Sequence, residues 1–328
     1  MGQTTEKPPL RVLLANPRGF CAGVDRAVET VERALAMHGA PVYVRHEIVH
    51  NARVCDGLRA KGAVFVEELD EVPAGSTVVF SAHGVARRVE EEAADAGHEV
   101  IDATCPLVAR VHIGGRRYVA DGRHLILIGH RGHAEVEGTL GQIDGPVSVV
   151  ANRAEVEALD FPPDARMAYV TQTTLSVSDT EGIIDAIMAR WPDTQGPDTR
   201  DICFATHNRQ QAVRDLASEA DLVIVVGARN SSNSNRLVEI AEGEGCRAFL
   251  LPTPEELSKD QLDGVGCLVV TAGASAPEIL VRETLARLAG WHDVTVEERD
   301  GVREDVTFRL PREVEDDYPP SRLAVGVK

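Results

Sequence analysis

Three cysteines constrain the fold of this chain more than any other feature. Each follows a strand-like segment and opens a helical one: Cys21 in NPRGFCAGVDRAVE, Cys105 in IDATCPLVARVH and Cys203 in RDICFATHNRQQAV. A polar residue stands 29, 28 and 30 residues further on, just past the next strand of each unit: His50, His133 and Asn233. Another ends a later strand of each unit: His83 in VVFSAHG, Thr173 in YVTQTT and Ser275 in VVTAGAS. This recurrence predicts three copies of one supersecondary plan.

The segments around these residues alternate between two patterns. Short apolar runs at 12–15, 125–128 and 222–226 are typical of buried strands, and the stretches between them have helical spacing. This alternation predicts an α/β protein with parallel sheets. We expect three units, at 11–104, 105–202 and 203–292, packed around a common point as a trefoil. Residues 293–328 are predicted to contain a strand in DVTFRLP and a poorly ordered acidic tail.

Charge and composition exclude several classes of function. The 328 residues include 34 basic and 52 acidic side chains, a net charge of −18, which argues against a surface for nucleic acid or anionic membranes. We find neither a targeting pattern nor an apolar run long enough to span a membrane, so the sequence predicts a cytoplasmic protein. A dinucleotide fingerprint and a P-loop are also missing from the sequence.

The cysteine count points to metal or redox chemistry. Six widely spaced cysteines in a chain of this length do not make a disulfide scaffold. Three of them occupy apolar positions and are expected to pack in the core: Cys55, Cys246 and Cys267. The other three open helices, a position that lowers the pKa of a thiol.

A shared site is expected where the three units meet, because ligands of parallel α/β sheets bind beyond the carboxyl ends of the strands. One thiolate per unit fits either a four-iron four-sulfur cluster with one open iron or a zinc ion with a free fourth position. Spacing alone leaves both possibilities open. The lack of paired ligands of the C-x2-C type favours the cluster.

The remaining candidate residues are mostly neutral hydrogen-bond donors, which suit a phosphate or diphosphate: His50, His83, His133, Thr173, Ser231, Ser232, Asn233 and Ser275. Ser231 to Asn233 precede a helix and form a candidate anion site, although a simple N-cap explains them equally well. Glu135 stands two residues after His133 and is a candidate proton source. Its alternative role is that of an acid in the first turn of a helix.

A series of motifs connects these residues: NPRGFCAGVDRA, EIVHN, FSAHGV, DATCPLV, GHRGHAEVEGT, TQTTLS, NRQQA, NSSNSNRL and TAGASAPE. Together and in this order, from about residue 11 to residue 314, they resemble the LytB or IspH family of 4-hydroxy-3-methylbut-2-enyl diphosphate reductases. The resemblance implies a three-unit α/β trefoil around a 4Fe–4S cluster held by Cys21, Cys105 and Cys203, with the fourth iron open to substrate.

The same resemblance implies roles for the other residues. It implies a diphosphate clamp of seven residues, namely His50, His83, His133, Ser231, Ser232, Asn233 and Ser275. Thr173 would lie near the substrate hydroxyl, and Glu135 would deliver protons. Isopentenyl and dimethylallyl diphosphate would be the products, in the last step of the non-mevalonate pathway, with a ferredoxin or flavodoxin as electron donor. Two alternatives remain, an iron–sulfur sensor without turnover and a zinc phosphohydrolase that uses His133 and Glu135. A monomer is expected.

Overall fold

The computed structural model describes residues 7–197 and 201–315. Within these residues the chain forms twelve strands: β1 (Pro9–Leu14), β2 (Val42–Arg45), β3 (Ala63–Val66), β4 (Thr77–Phe80), β5 (Glu99–Asp102), β6 (His124–Ile128), β7 (Val147–Val150), β8 (Met167–Thr171), β9 (Leu222–Val226), β10 (Arg247–Leu251), β11 (Cys267–Ala272) and β12 (Asp293–Glu298). The same residues form ten α-helices: α1 (Ala22–His38), α2 (Ala52–Arg59), α3 (Arg87–Asp95), α4 (Pro106–Ala120), α5 (Ala134–Gly141), α6 (Arg153–Glu157), α7 (Val177–Arg190), α8 (Phe204–Ala217), α9 (Ser232–Gly243) and α10 (Glu278–Trp291). Short 3-10 helices lie at Leu69–Glu71, Pro254–Glu256, Lys259–Leu262 and Arg312–Val314.

The strands form three parallel sheets. The strand order is β10-β9-β11-β1-β12 in the first sheet, β3-β2-β4-β5 in the second and β7-β6-β8 in the third. Parallel strands need crossover connections, and helices supply most of them. The predicted α/β class with parallel sheets is therefore confirmed.

The central strands of the first sheet are buried on both faces. Successive residues of β1 alternate between two clusters: Val12 and Leu14 pack on the α10 side, while Leu13 packs on the side of α8 and α9. A strand covered on both faces needs apolar residues at every position. This explains why β9 is a continuous run of buried apolar residues and why β11 is buried along nearly all its length.

The chain divides into two compact units. One contains the described residues up to Cys21 together with Phe204–Asp305, and it holds the first sheet. The other contains Ala22–Cys203 and the described residues from Val306 onward, and it holds the second and third sheets.

Strand β1 lies in a different sheet from β2 to β8, the strands that follow it directly along the chain. Its Leu13 is in register with Val269 of β11 on one side and with Glu297 of β12 on the other. Because Leu10 and residues 12–14 are buried, pairing on both edges places β1 inside the sheet formed by later residues. The repeat boundaries 11–104, 105–202 and 203–292 remain a prediction, since they concern repetition along the chain and not sheet membership.

The C-terminal strand lies earlier than predicted. Residues 305–311, the DVTFRLP segment, contain no strand, and β12 at Asp293–Glu298 pairs with β1 instead. With β12 in place, both edges of β1 are paired. The segment that follows has no regular secondary structure until the 3-10 helix at Arg312–Val314. Of the acidic tail predicted to be poorly ordered, residues 316–328 lie outside the described residues.

Candidate active site

The three cysteines that recur along the chain stand at helix starts, as predicted. Cys21 directly precedes α1, Cys105 is the N-cap of α4 and Cys203 directly precedes α8. All three are partly exposed thiols. Among the described residues, no strand lies between β8 and Cys203. In place of a strand, the chain before Cys203 contains an isolated β-bridge, between Gln195 and Ala168.

The other three cysteines have a different character. Cys55 is buried, and its thiol points to the carbonyl of Val49 at 3.7 Å. Burial is the main cause that raises the pKa of Cys55 to about 11, and burial also raises the pKa values of Cys246 and Cys267. These environments disfavour thiolates, which agrees with a packing role.

A hydrogen bond that occurs three times anchors the helix-opening cysteines. The backbone N–H of each donates to a carbonyl: Cys21 to Ala274 at 3.2 Å, Cys105 to Ala82 at 3.0 Å and Cys203 to Thr173 at 3.2 Å. The acceptor lies at, or one residue before, a predicted polar site residue: Ser275, His83 and Thr173. The backbone of each cysteine is thereby fixed to a loop that carries one polar candidate from another predicted unit.

Three predicted histidines meet in one cluster. The rings of His50 and His83 stack with centroids 4.2 Å apart, and His133 lies edge-on to them at 5.6 and 5.9 Å. Burial holds the pKa of His83 well below its usual value, and the two neighbouring histidines act in the same direction. Burial likewise lowers the pKa of His133 to about 4.

The tautomer of His133 follows from its role as the N-cap of α5. Its Nδ1 accepts a hydrogen bond from the backbone N–H of Glu135 at 3.2 Å. A neutral imidazole has one proton, which must then be on Nε2. His133 therefore presents an N–H donor from its other nitrogen, while Nδ1 of His50 lies 3.1 Å from the carboxylate of Glu47.

Glu135 and Thr173 form a buried pair. Oε1 of Glu135 accepts from the backbone N–H of Thr173 at 2.6 Å, and Oε2 accepts from its hydroxyl at 2.9 Å. Glu135 is 3% exposed, and burial raises its pKa to about 7 although both hydrogen bonds act to lower it. A carboxyl group with this pKa exchanges protons near neutral pH. The sequence predicted both residues, but not their direct contact.

A further acid, which sequence reasoning missed, lies near this pair. Asp201 is buried, 3.9 Å from Arg110, and its charge contributes to the raised pKa of Glu135. Burial raises the pKa of Asp201 itself to about 6. The available signal was an acid two residues before a helix-opening cysteine, in RDIC.

The serines and the asparagine form a separate polar group in the unit that holds the first sheet. Ser231 caps α9 and lies 3.4 Å from Ser275, hydroxyl to hydroxyl, and Ser232 is the first residue of the helix. Ser234, which sequence reasoning also missed, is fully buried and donates to the hydroxyl of Ser231 at 3.0 Å. The N-cap interpretation is correct for Ser231.

A capping role does not explain the buried side chain of Asn233. It is 5% exposed, and neither its side-chain nitrogen nor its side-chain oxygen has a hydrogen-bond partner. A buried amide without partners is costly, so such a group in a native protein needs an explanation. A bound polar ligand would supply the missing partner.

Neither a single-ion metal site nor a membrane span is found among the described residues. In residues 7–197 and 201–315 no three His, Cys, Asp or Glu side chains are grouped closely enough to hold one metal ion. Nδ1 of His133 accepts from the backbone N–H of Glu135, and the carboxylate of Glu135 accepts from Thr173. No helix in these residues is long and apolar enough to cross a membrane.

Comparison with known proteins identifies the family. The profile of the LytB protein family matches residues 12–289. The 4-hydroxy-3-methylbut-2-enyl diphosphate reductase of Zymomonas mobilis is 57% identical over 302 residues, covering 92% of this chain and 89% of the relative. The reductase of the same name from Methylococcus capsulatus is 53% identical over 308 residues, covering 93% and 98%. The solved structure of the E-1-hydroxy-2-methyl-but-2-enyl-4-diphosphate reductase from Plasmodium falciparum is similar with a TM-score of 0.89 and 37% identity, covering 94% of this chain and 97% of that one. With a profile match over most of its length and relatives more than half identical to it, this chain belongs to the LytB protein family.

Proposed function

We propose that this protein reduces 4-hydroxy-3-methylbut-2-enyl diphosphate to isopentenyl and dimethylallyl diphosphate, the last step of the non-mevalonate pathway. The names of its relatives support this reaction. Within the structure, the observation that carries the proposal is the buried Glu135 carboxyl, bonded twice to Thr173 and with a pKa of about 7. Reductive removal of a hydroxyl group consumes two electrons and two protons and releases water. A buried acid that is partly protonated at neutral pH meets the need for protons.

Cys21, Cys105 and Cys203 are the residues that would hold a 4Fe–4S cluster with one open iron. Their chemistry fits, since all three are partly exposed thiols at helix starts and are anchored by equivalent backbone hydrogen bonds. When bound, such a cluster supplies electrons and an acidic iron site for the leaving hydroxyl. The relatives compared above give no support to the alternative of an iron–sulfur sensor without turnover.

The diphosphate would be held by two groups of donors. One is the histidine cluster, where His83 and His133 are neutral and His133 presents an N–H from Nε2. The other contains Ser231, Ser232, Asn233 and Ser275. The hydroxyl and amide donors, together with the neutral His83 and His133, would bind the anion without changing their own charge near neutral pH.

Thr173 and Glu135 would act at the other end of the substrate. With Glu135 protonated, one of its oxygens becomes a donor, and the Thr173 hydroxyl beside it can connect it to the substrate hydroxyl. One proton leaves with the hydroxyl as water, and the second is added to an allylic carbon. A ferredoxin or flavodoxin is the proposed electron donor, and the cytoplasm the proposed location.

Two measurements on protein purified without oxygen test the function. The protein should contain iron together with acid-labile sulfide and should convert the diphosphate in the presence of a chemical reductant. Zinc without sulfide would contradict the cluster and favour a zinc phosphohydrolase. A complete cluster without any turnover would instead indicate a sensor.

Changing Asn233 to alanine should weaken substrate binding without destabilising the free protein. The variant loses a donor to a charged ligand, typically about 1 to 3 kcal/mol, so Kd should rise roughly 5- to 150-fold. Because the amide has no partner in the free protein, its removal should leave Tm unchanged or higher.

Asn152 is a matched control for this prediction. Its side chain caps α6 by accepting from the backbone N–H of Glu155 at 3.0 Å. Asn152→Ala should lower Tm, by the loss of a cap, and leave Kd unchanged. A lower Tm with an unchanged Kd in Asn233→Ala would make Asn233 a structural residue and move the anion site elsewhere.

A further inference from the structure

Arg209 in the NRQQA motif is a buried cation that none of the roles above explains. It is 1% exposed and belongs to α8, the helix that begins directly after Cys203. All three guanidinium nitrogens are engaged. Nε and Nη2 donate to the carbonyl of Gly19 at 3.0 and 2.8 Å, and Nη2 also donates to the carbonyl of Phe20 at 3.1 Å. Nη1 donates to the carbonyl of Ala205 at 2.8 Å.

The carbonyls of Gly19 and Phe20 belong to the last residues before Cys21. In this loop Gly19 has a φ of +67°, a conformation that favours glycine, and its N–H donates to the carbonyl of Ala272 at 3.0 Å. The N–H of Cys21 donates to Ala274 of the same strand end. The loop is thus held by the first sheet through its N–H groups and by Arg209 through its carbonyls.

The counter-ion of Arg209 comes from the segment after β12. Both carboxylate oxygens of Glu304 lie 3.1 Å from Nη1, and Oε1 also accepts from Asn208 at 3.0 Å. Earlier in the same segment, Gly301 lies against Asn16 so closely that a Cβ at that position would be 2.0 Å from its carbonyl oxygen. We call residues 299–305 the C-terminal strap. The strap contacts Asn16, at the start of the segment that leads to Cys21, and its Glu304 carboxylate pairs with Arg209.

A buried ion pair of this kind is weak evidence for a purely stabilising role. Desolvation of the two charges offsets much of their attraction, and apolar residues often replace such pairs without loss of stability. Unlike an apolar group, a guanidinium is a rigid fork of donors that can fix several carbonyls at once. Here the fixed carbonyls are those next to a thiol.

We infer that Arg209 and Glu304 are positioning residues for Cys21: the guanidinium holds the backbone on which this thiol stands, and the carboxylate of the strap holds the guanidinium. The inference rests on the proposed function, in which Cys21 is a cluster ligand. It assigns a role to the NRQQA motif and to the strap. Outer-shell partners of metal ligands typically change metal affinity about 10- to 100-fold when altered.

The test uses the full-length protein, purified without oxygen, and measures the rate at which an iron chelator removes the visible absorption of the cluster. Arg209→Gln should raise this rate about 10- to 100-fold. Glu304→Gln should raise it less, because an amide oxygen still accepts from Arg209. Arg209→Lys keeps the charge but not the fork, and should fall between Arg209→Gln and the wild type.

Arg123 provides a control for general destabilisation. It is also a buried arginine, and it donates to the carbonyls of Met167 and Asp193 at 3.0 and 2.8 Å. It stands just before β6, at the amino end of that strand, whereas Cys105 and the candidates His83, His133 and Thr173 follow the carboxyl ends of strands. Arg123→Gln should lower Tm and leave the rate of iron release at the wild-type value.

The outcomes separate this inference from the function on which it rests. A wild-type protein without iron and sulfide would refute the proposed cluster itself. With a cluster present in the wild type, unchanged iron release in Glu304→Gln and in Arg209→Gln would overturn the positioning role. So would equal acceleration in Arg123→Gln, which would reduce the effect to stability. If Arg209→Gln does not fold, Glu304→Gln and Arg209→Lys decide the question.

Discussion

Glu135→Gln is expected to lower kcat by about 10²- to 10⁴-fold, the usual contribution of a general acid or base. Glutamine keeps the size of the side chain and can still bond to Thr173, but it has no exchangeable acid proton. Substrate Kd and cluster content should stay near their wild-type values, because neither the proposed clamp nor the proposed cysteine ligands are altered. The measurement is anaerobic turnover with a chemical reductant, alongside affinity and iron content of the same preparation.

The pH dependence of kcat adds a second signature of Glu135. Burial raises the pKa of this carboxyl from 4.5 to about 7, so the donating form is present below pH 7 and is lost as pH rises through that value. Wild-type kcat should therefore fall above about pH 7, approaching tenfold per pH unit. The residual activity of Glu135→Gln should lack this decline.

Glu137 gives the matched control. It is an exposed acid in the first turn of the same helix and accepts from the N–H of Gly132 at 3.1 Å. Glu137→Gln should keep wild-type kcat and the same pH profile. Wild-type kcat in Glu135→Gln, with full cluster and normal affinity, would remove Glu135 from the mechanism and leave Thr173 or Asp201 as the next candidate.

Cys105→Ser should lose the cluster almost completely. A direct ligand is expected to matter more than the about 10- to 100-fold that an outer-shell change costs in metal affinity. Of the three cysteines, Cys105 is the most informative to replace, since it caps α4 through its backbone and its side chain makes no capping bond. Serine at this N-cap position is favourable for the helix, so the loss should not come from unfolding. Iron, sulfide and visible absorption after anaerobic purification are the readouts.

Cys55→Ser is the control for Cys105→Ser. Cys55 is a buried thiol whose pKa is raised to about 11, and a hydroxyl there should lower stability while leaving iron content unchanged. A normal cluster in Cys105→Ser would contradict the three-cysteine assignment. Loss of the cluster in Cys55→Ser without a change in folding would contradict it equally.

Much of the site was predictable because repetition and local chemistry are visible along the chain. Apolar runs predicted strands covered on both faces, and the spacing of Cys105, His133 and Thr173 matched that in the other units. The structure adds a contact that the spacing did not show, since each cysteine N–H bonds to a loop that carries a polar candidate from another predicted unit. The contact of Glu135 with Thr173 was not visible, since 38 residues separate them.

Long-range pairing accounts for what the sequence did not reveal. Nothing in residues 9–14 indicates that β1 pairs with β11 and β12, more than 250 residues later. Nothing near Arg209 indicates that its counter-ion is Glu304. The strand expected at 305–311 was wrong for a similar reason: the segment has an apolar alternation, but β12 already occupies the edge of the sheet beside β1.

Counting product molecules against electrons consumed tests the proposed reduction directly. Protein purified without oxygen is mixed with 4-hydroxy-3-methylbut-2-enyl diphosphate, and a measured amount of a chemical reductant is added in steps. The proposed reaction should yield one molecule of isopentenyl or dimethylallyl diphosphate for every two electrons consumed, with the diphosphate intact. Unchanged substrate, or release of inorganic phosphate without consumption of electrons, would contradict it.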